Sequence, residues 1–378
     1  MIYLDHAATT PMRPEAREAM EPYLDDVFGN PSGVHGVSQR AKNALEEARE
    51  KAAELLGAAR PLEIVFTGGG TEADNLAVAG TTLAAGGTGR IVTSAIEHQA
   101  VLESARFCGR LGHPVIEVGV DALGLVDVDE VVGSVDRDTA VVSVMAANNE
   151  TGVLEPIWKI ADGLRGAGHE TPLHTDAVQA FASEPVTVSS TGADLISLAA
   201  HKFGGPKGVG LLYVRDGIEI EPILHGGGQE LGRRSGTHNV AGVVGMVAAM
   251  EAASADREAF RARVGAARDR FEADLSATFD DLEINAPIGS RLVQHSHLRF
   301  PGVEADTLLV LLDRAGVAAA AGSACHSGAV QPSHVLDAMG MSPRVASECA
   351  RFTFGWIDTA TTGAIAAAQV ADVVAGLR

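Results

Sequence analysis

The pattern of apolar and polar positions changes along the chain between a helical period and short buried runs. From residue 36 to 56, alanine and leucine recur every three or four positions opposite glutamate and arginine. This spacing predicts a surface helix that Gly57 can end as a C-cap. Short apolar runs predict six strands, at residues 63–67, 90–93, 114–118, 140–146, 194–199 and 209–214.

Helical patterns at 71–85, 97–111 and 156–166 lie between these runs. Strands that alternate with helices indicate an α/β fold with a mostly parallel sheet covered by helices. After about residue 254 the pattern changes to a charged helix at 255–278, followed by short strands near 293–300 and 350–354. We therefore predict a large domain at 14–253 and a smaller α+β domain formed by 1–13 and 254–378.

Composition narrows the classes of function. The 378 residues include 29 basic and 49 acidic side chains, a net charge of −20. Such a charge repels nucleic acid and anionic membranes, so direct binding to either is not expected. The apolar stretches at 241–250 and 316–321 are far shorter than the roughly twenty residues that span a bilayer. The first residues lack the pattern of a signal peptide.

The three cysteines, Cys108, Cys325 and Cys349, are far apart and form no Cys-x-x-Cys pair. This spacing predicts a reducing, cytoplasmic compartment. Cys108 and Cys349 lie in apolar patterns and are expected in the core. Cys325 lies in a segment of small residues that is typical of an exposed, flexible loop, where a nucleophilic thiol would sit. A buried structural cysteine is the alternative.

Three further segments carry candidate chemistry. At 63–75 a strand leads into three glycines and a helix that Thr71 opens, an arrangement that suits a phosphate, although a plain tight turn is the alternative. Asp176 ends a short strand with Gln179 three residues on, so it either faces a ligand crevice or caps a helix. Lys202 follows an apolar strand among glycines, where it is either a Schiff-base lysine or an ordinary surface lysine.

The thirteen histidines raise the question of a metal. The closest groupings are His174 with Asp176, His295 with His297, and Cys325 with its neighbour His326. None has the spacing of a structural zinc site, so metal binding is kept only as a minor alternative.

A phosphate cup, an aspartate at a strand end and a lysine about 25 residues later match the needs of pyridoxal phosphate. With these features the chain resembles the cysteine desulfurases, the NifS/IscS-like branch of the class V aminotransferases. The resemblance extends from Tyr3-Leu-Asp-His-Ala-Ala-Thr-Thr-Pro11 to Arg351-Phe-Thr-Phe-Gly355. It implies the type I fold of pyridoxal-phosphate enzymes, with a seven-stranded, mostly parallel sheet.

The resemblance also assigns roles to residues around the cofactor. His98 would stack on the cofactor ring and relay protons, Asp176 would pair with the ring nitrogen, and Lys202 would form the Schiff base. The remaining cofactor contacts that the family pattern implies are Asn149, Gln179, Gly70, Thr71 and His201, together with Thr237 supplied by a neighbouring subunit. A homodimer is therefore implied.

Substrate and sulfur roles follow from the same resemblance. Arg351 matches the arginine that clamps the carboxylate of L-cysteine, with help from Asn30 and Asn149. Cys325 falls in the Gly-Ser-Ala-Cys loop of the family. Its thiolate would take the substrate sulfur as a persulfide while L-alanine leaves, with His98 and Lys202 carrying protons.

Two points depart from the family pattern or stay open. Many relatives have a serine three residues before the Schiff-base lysine, where this chain has Ala199, so we expect weaker cofactor retention. The sulfur acceptor is left open, because the chain ends at Arg378 without the longer tail of some relatives. The acceptor would be an iron–sulfur scaffold or an enzyme that thiolates tRNA, DNA or a cofactor. A selenocysteine lyase, an aminotransferase of the same fold, and a catalytically silent relay subunit are the alternatives.

Overall fold

A computed structural model describes residues 1–87, 89–286, 289–322 and 333–378. Its strands are β1 (Ile2–Tyr3), β2 (Ile64–Thr67), β3 (Arg90–Ser94), β4 (Val115–Val118), β5 (Thr139–Ser143), β6 (Leu173–Asp176), β7 (Leu195–Ala199), β8 (Gly210–Val214), β9 (Glu283–Ile284), β10 (His295–Arg299), β11 (Val317–Ala318) and β12 (Cys349–Thr353). Its helices are α1 (Pro14–Met20), α2 (Gly36–Leu56), α3 (Gly70–Asn75), α4 (Thr81–Ala84), α5 (Gln99–Arg110), α6 (Val128–Gly133), α7 (Ile157–Gly166), α8 (Val188–Thr191), α9 (Val240–Thr278), α10 (Ala305–Arg314), α11 (His334–Ala338), α12 (Pro343–Ala346) and α13 (Ala360–Leu377).

The main sheet has seven strands in the order β2-β8-β7-β6-β5-β3-β4. The four pairings from β7 through β4 are parallel, and β8 joins both β7 and β2 antiparallel. Helices cover both faces, which is why the central strands are apolar runs rather than alternating patterns. The predicted α/β class and mostly parallel sheet are confirmed. Each of the six predicted strands corresponds to an observed strand within a few residues.

The second part of the fold holds two small sheets. The strands β12, β10 and β9 form an antiparallel sheet, and β1 pairs with β11 in parallel. A hydrophobic cluster beneath them includes Leu4, Phe271, Phe352 and Val370. The N-terminal residues therefore join the C-terminal part of the chain. The division into domains at 14–253 and at 1–13 with 254–378 stays a prediction.

The prediction of a charged helix that starts at residue 255 was wrong about its beginning. Helix α9 has 39 residues and begins at Val240. Its first half, including Met246 and Met250, is buried in the cluster beneath the main sheet, whereas Phe260 and Phe271 belong to the second cluster. The apolar first half has no solvent face and so lacks the amphipathic period by which its charged continuation was recognised.

Of the first predicted helices, one has its predicted bounds and one is divided. Helix α2 has the bounds that its period predicts, and Gly57 ends it in the left-handed conformation with φ 66°. The predicted helix at 71–85 is three pieces, because a π-helical turn at Leu76–Gly80 separates α3 from α4. A Cβ on Gly80 would lie 2.5 Å from the Ile220 side chain, so the loop before residue 224 crosses the helix at close range.

Helix α13 corrects the expectation about apolar stretches. Among the described residues, it is the helix that has the length and mean hydropathy, 1.4, of a membrane span. Its hydropathy comes from alanine and valine, and its buried face includes Ala366, Ala367 and Val374 in the second cluster. A Cβ on Gly363 would lie 2.0 Å from the carbonyl oxygen of Ala267, so α13 lies directly against α9.

Candidate active site

The candidate catalytic residues lie where the parallel strands end. Asp176 is the last residue of β6, Lys202 closes the 3₁₀ turn that follows β7, and His98 comes four residues after β3. Each of these three groups interacts electrostatically with the other two. Because carboxyl ends of parallel strands meet at one edge of the sheet, residues far apart in sequence form one site.

Asp176 is a buried carboxylate. Burial raises its pKa, and the nearby His98 and Lys202 act in the opposite direction. Its Oδ1 accepts the amide of Val178 at 2.9 Å, but the chain continues as a turn and no helix begins there. The alternative of a helix N-cap is therefore wrong, although the carboxylate does accept a backbone amide.

His98 is the N-cap of α5. Its Nδ1 accepts the amide of Ala100 at 3.1 Å, so the neutral ring carries its proton on Nε2. Burial lowers the pKa of His98, Asp176 raises it, and Lys202 and His334 lower it. The ring is thus held as a neutral group beside an acid and an amine.

The N-terminal segment lies against the lysine. The Nζ of Lys202 donates to the carbonyl oxygens of Ala7 and Ala8, at 2.5 and 3.1 Å. Gln179 donates its Nε2 to the same carbonyl of Ala7 at 3.0 Å. No local pattern in the N-terminal motif predicts that its backbone carbonyls accept from the lysine. Which carbonyls it offers is decided by how β1 and the following turn are placed.

The glycine turn between β2 and α3 borders an open cavity of about 660 Å³. Gly69 has φ 151°, and a Cβ on Gly210 would lie 2.7 Å from the Gly69 carbonyl carbon, so both positions need glycine. The cavity is lined by residues that include Gly70, Thr71 and His201. This turn and His201 lie together, as the sequence predicts for a phosphate site.

His201 and Thr237 differ in their surroundings. The Nδ1 of His201 lies 3.2 Å from the Thr9 hydroxyl, and burial lowers the pKa of the imidazole to about 4. Thr237 is exposed and does not line the cavity of its own chain. Its neighbour Arg234 donates to Glu72 at 2.6 Å, which holds this segment near the glycine turn.

Arg351 is buried on β12 with both terminal nitrogens in use. Nη2 donates to Asp5 at 2.7 Å and Nη1 donates to the carbonyl of Asn149 at 2.8 Å, while Nε is buried without a partner among the described residues. The structure thus brings the backbone of Asn149 next to Arg351. Asn30 lies on an exposed turn, where its Oδ1 accepts the amide of Ser32 at 3.0 Å.

A buried polar chain beneath the site was missed by the sequence reading. His174 lies between the hydroxyls of Ser143 and Ser197, at 2.8 and 2.9 Å, and Ser197 also bonds Asp74. Burial lowers the pKa of His174 to about 3, so the ring is neutral. The signal was available, since His174 lies two residues before Asp176 on one strand and so faces the same side.

Two of the three cysteines can be placed. Cys108 and Cys349 are buried and unpaired, and burial raises the pKa of both thiols, that of Cys349 to about 11. Their predicted place in the core is confirmed. Cys325, with its neighbour His326, lies outside the described residues. Within the described ranges no three or more metal-ligating side chains come together.

Comparisons with known proteins show the family to which the chain belongs. The model of the class-V aminotransferase family matches residues 2–361. A cysteine desulfurase IscS of Dictyoglomus turgidum is 43% identical over 359 residues, which cover 95% of this chain and 90% of the relative. A putative cysteine desulfurase IscS 1 of Bacillus subtilis is 43% identical over 376 residues, which cover 99% and 98%.

A solved structure described as a NifS-like protein superimposes with a TM-score of 0.93 at 34% identity, and the match covers 99% of both chains. The family match, the identity and the coverage all indicate the same family. The chain therefore belongs to the class V aminotransferase family and, within it, to the cysteine desulfurases.

Proposed function

We propose that this chain is a pyridoxal-phosphate-dependent cysteine desulfurase that converts L-cysteine to L-alanine and leaves the sulfur as a persulfide on Cys325. The observation that carries the proposal is the meeting of Asp176, His98 and Lys202 at one sheet edge, where each interacts with the other two. Enzymes of this family depend on pyridoxal phosphate. The residues of this chain fit that cofactor.

The fit rests on three features. The glycine turn and His201 border a cavity in which an anion could reach backbone amides at the start of α3. Asp176 is a buried acid that lies near a neutral imidazole and an amine. A Cβ added at Gly70 would lie 3.2 Å from the Cβ of Ala199, so any side chain at this position would fill the turn.

Each residue would hold one part of the cofactor. Gly70, Thr71 and His201 would bind the phosphate, Asp176 the ring nitrogen and Gln179 the ring hydroxyl. His98 would stack on the ring and Asn149 would lie beside it. When bound, pyridoxal phosphate supplies an electron sink that makes the α-proton of an amino acid acidic.

Protons would be moved by Lys202 and His98. The Nζ of Lys202 now donates to the Ala7 and Ala8 carbonyls, which orient the amine at the site. His98 holds its proton on Nε2, because Nδ1 is occupied by the amide of Ala100. The neutral His98 ring would give up its Nε2 proton only as it takes up a proton at Nδ1, and the neutral amine of Lys202 would be the group that takes a proton from the substrate.

The substrate carboxylate would bind at Arg351. The Nη2 of Arg351 already donates to the Asp5 carboxylate at 2.7 Å, which supports a role for this guanidinium in binding a carboxylate. L-Cysteine would therefore replace Asp5 or share the fork with it. Asn149 and Asn30 would line the same part of the site.

Sulfur transfer would take place at Cys325. The Cys325 thiolate attacks the substrate sulfur, so an S–S bond forms while the C–S bond breaks. The electron pair of the C–S bond goes to the β-carbon, which takes a proton and becomes the methyl group of alanine. One thiol and one cysteine thus give one persulfide and one alanine, and no outside oxidant is needed.

Cys325 is close in sequence to a residue that pairs with the proposed carboxylate clamp. Ala320 forms a β-bridge with Arg351, and Cys325 follows Ala320 by five residues. This closeness in sequence supports the proposal that the Cys325 thiol serves the same site.

The persulfide would pass to an acceptor protein, which we propose is an iron–sulfur scaffold or a thiolation enzyme. We also propose a homodimer in the cytoplasm, as supported by two unpaired buried thiols and by exposed apolar side chains at Phe28, Val34 and Leu231. In the dimer, Thr237 of one subunit would reach the phosphate of the other.

The test measures alanine and sulfide released from L-cysteine with a thiol reductant and no keto acid. The cofactor-loaded parent protein and a Cys108→Ala control should release both, whereas Cys325→Ala should release neither. Equal release by Cys325→Ala would remove that thiol from the mechanism. A need for a keto acid would indicate an aminotransferase, and turnover of L-selenocysteine alone would indicate a selenocysteine lyase.

A further inference from the structure

Helix α11 is held against the segment that carries His98. Its residues Val335 and Leu336, with Met339, are buried in a hydrophobic cluster with Ile96 and Met145. Ile96 lies two residues before His98. The helix thus has a fixed place beside the acid–base histidine, although it lies more than 230 residues away in sequence.

The first residue of this helix, His334, contacts both neighbours of His98. Its Nε2 lies 2.9 Å from the carbonyl oxygen of Glu97, and its Nδ1 lies 3.2 Å from the Nε2 of Gln99. A carbonyl only accepts, so Nε2 carries the proton and Nδ1 accepts from the amide of Gln99. Both ring nitrogens of the neutral imidazole are satisfied.

The side chain of Glu97 is fixed from the other side. Its Oε1 accepts from the Ser94 hydroxyl at 2.6 Å and from the Met145 amide at 2.7 Å. His334 therefore holds both neighbours of His98 by hydrogen bonds, and Ser94 and Met145 also hold Glu97. These contacts form a frame around His98. Such a frame limits how far the His98 ring can move relative to Asp176 and Lys202.

We propose that His334 is a positioning residue that orients His98 for proton transfer by holding Glu97 and Gln99. The inference rests on the proposed function, in which His98 is a proton carrier. His334 donates to a backbone carbonyl and accepts from a side-chain amide, so it acts through hydrogen bonds and does not touch the substrate.

The charged and titratable groups that face His98 come from several elements. Asp176 on β6, Lys202 after β7 and His334 on α11 all act on its pKa, and the buried Glu97 carboxyl lies next to it in the chain. When His334 is protonated, its positive charge is one of the influences that lower the pKa of His98, and a substitution removes that charge. A substitution there should therefore raise the pKa of His98 as well as loosen its position.

The experiment compares His334→Ala and His334→Gln in the cofactor-loaded protein, with Asp337→Ala as a matched control on the exposed face of α11. Glutamine can donate to the Glu97 carbonyl but cannot become charged. We expect kcat to fall about tenfold in the alanine variant, since small misplacements of a catalytic group are costly. KM should change little, and the glutamine variant should recover most of kcat.

A second readout is the NMR titration of the His98 ring, assigned by its loss in His98→Gln. The pKa of His98 should rise in both His334 variants and stay unchanged in Asp337→Ala. The inference is overturned if His334→Ala keeps kcat and the His98 titration, or if His334→Gln is as slow as His334→Ala. The proposed function fails separately, when the parent protein releases no alanine, and the titration still decides whether His334 acts on His98.

Discussion

At the scale of single residues, Arg351 illustrates how a buried charge is satisfied by groups of the same chain. Its guanidinium pairs with Asp5 and donates to the carbonyl of Asn149. A buried cation without a partner is costly, so a carboxylate of the chain occupies the fork. A substrate carboxylate at the proposed clamp would compete with Asp5, and this competition would keep its net gain in binding energy modest.

Ala199 lies three residues before Lys202, the proposed Schiff-base lysine. It is the last residue of β7, and its Cβ lies 3.2 Å from the Cβ position of Gly70 in the glycine turn. A hydroxyl there could donate to the cofactor phosphate, so we expect Ala199→Ser to lower the Kd of pyridoxal phosphate about tenfold. The measurement is a visible absorption titration of the apoprotein.

The control for this prediction is Ala85→Ser, which lies just after α4 and outside the cavity at the glycine turn. It should leave the Kd unchanged. An unchanged Kd in Ala199→Ser would mean that the missing hydroxyl costs nothing here.

Glu155 gives a prediction about stability and pH. Burial raises the pKa of its carboxyl from 4.5 to about 8, and Oε2 accepts the amide of Val126 at 3.0 Å. A raised pKa in the folded state gives stability that is complete below pH 4.5 and lost as the pH rises through 8. Glu155→Gln keeps an acceptor oxygen and cannot ionise.

We therefore expect Glu155→Gln to gain stability over the parent by roughly 2–4 kcal/mol between pH 5 and pH 8. Urea unfolding at the two pH values measures this difference. A difference between variant and parent that does not change with pH would contradict the raised pKa.

At the scale of elements, the packing of α13 on α9 depends on a single glycine. The Cβ position of Gly363 lies 2.0 Å from the carbonyl oxygen of Ala267. Backbone this close cannot move aside as a flexible side chain could. Small residues on α13 allow this close packing, and its alanine and valine residues explain its membrane-like hydropathy.

The same contact predicts the effect of a methyl group. Gly363→Ala should destabilise the protein by about 1–3 kcal/mol, because the helices must separate. Gly376→Ala is the matched control in the same helix, since nothing lies within 4 Å of its Cβ position. It should be neutral or stabilise by up to about 1 kcal/mol. Thermal unfolding compares the two, and equal effects would argue against a close contact at Gly363.

At the scale of the whole molecule, the proposed dimer would complete each site with Thr237 of the other subunit. Thr237 is exposed in its own chain and does not line its own cavity. Phe28 and Val34 are 73% and 99% exposed, and a partner surface would cover such apolar groups. Each chain also carries a net charge of −20, so association must overcome charge repulsion between subunits.

Mixed dimers test this arrangement. Lys202→Ala and Thr237→Ala should each lose activity, the first completely and the second about tenfold through one lost phosphate contact. If Thr237 acts across the interface, a mixed dimer of the two variants has one intact site, and alanine release should recover towards half of the parent rate. Activity that stays at the average of the separate variants would place Thr237 in its own site.

The local pattern of apolar and polar residues predicted many of the helices and strands. The period of α2 gave its ends, and the apolar runs gave the strands of the main sheet, because burial on both faces leaves a direct mark on composition. The start of α9 and the π-helical turn before α4 left no such mark. Both depend on which neighbours surround the helix, Met20 against Gly245 in the first case and Ile220 against Gly80 in the second.

For the candidate site, the sequence alone determined which residue types stand at the strand ends, namely Asp176, Lys202 and His98, and which family they resemble. Only the tertiary structure decided what surrounds them. Three contacts join segments that lie between about 190 and 350 residues apart in sequence. They are the ion pair of Asp5 with Arg351, the hydrogen bond from Lys202 to the Ala7 carbonyl, and the hydrogen bond from His334 to the Glu97 carbonyl. Such contacts are set by chain topology and side-chain packing, which no local period encodes.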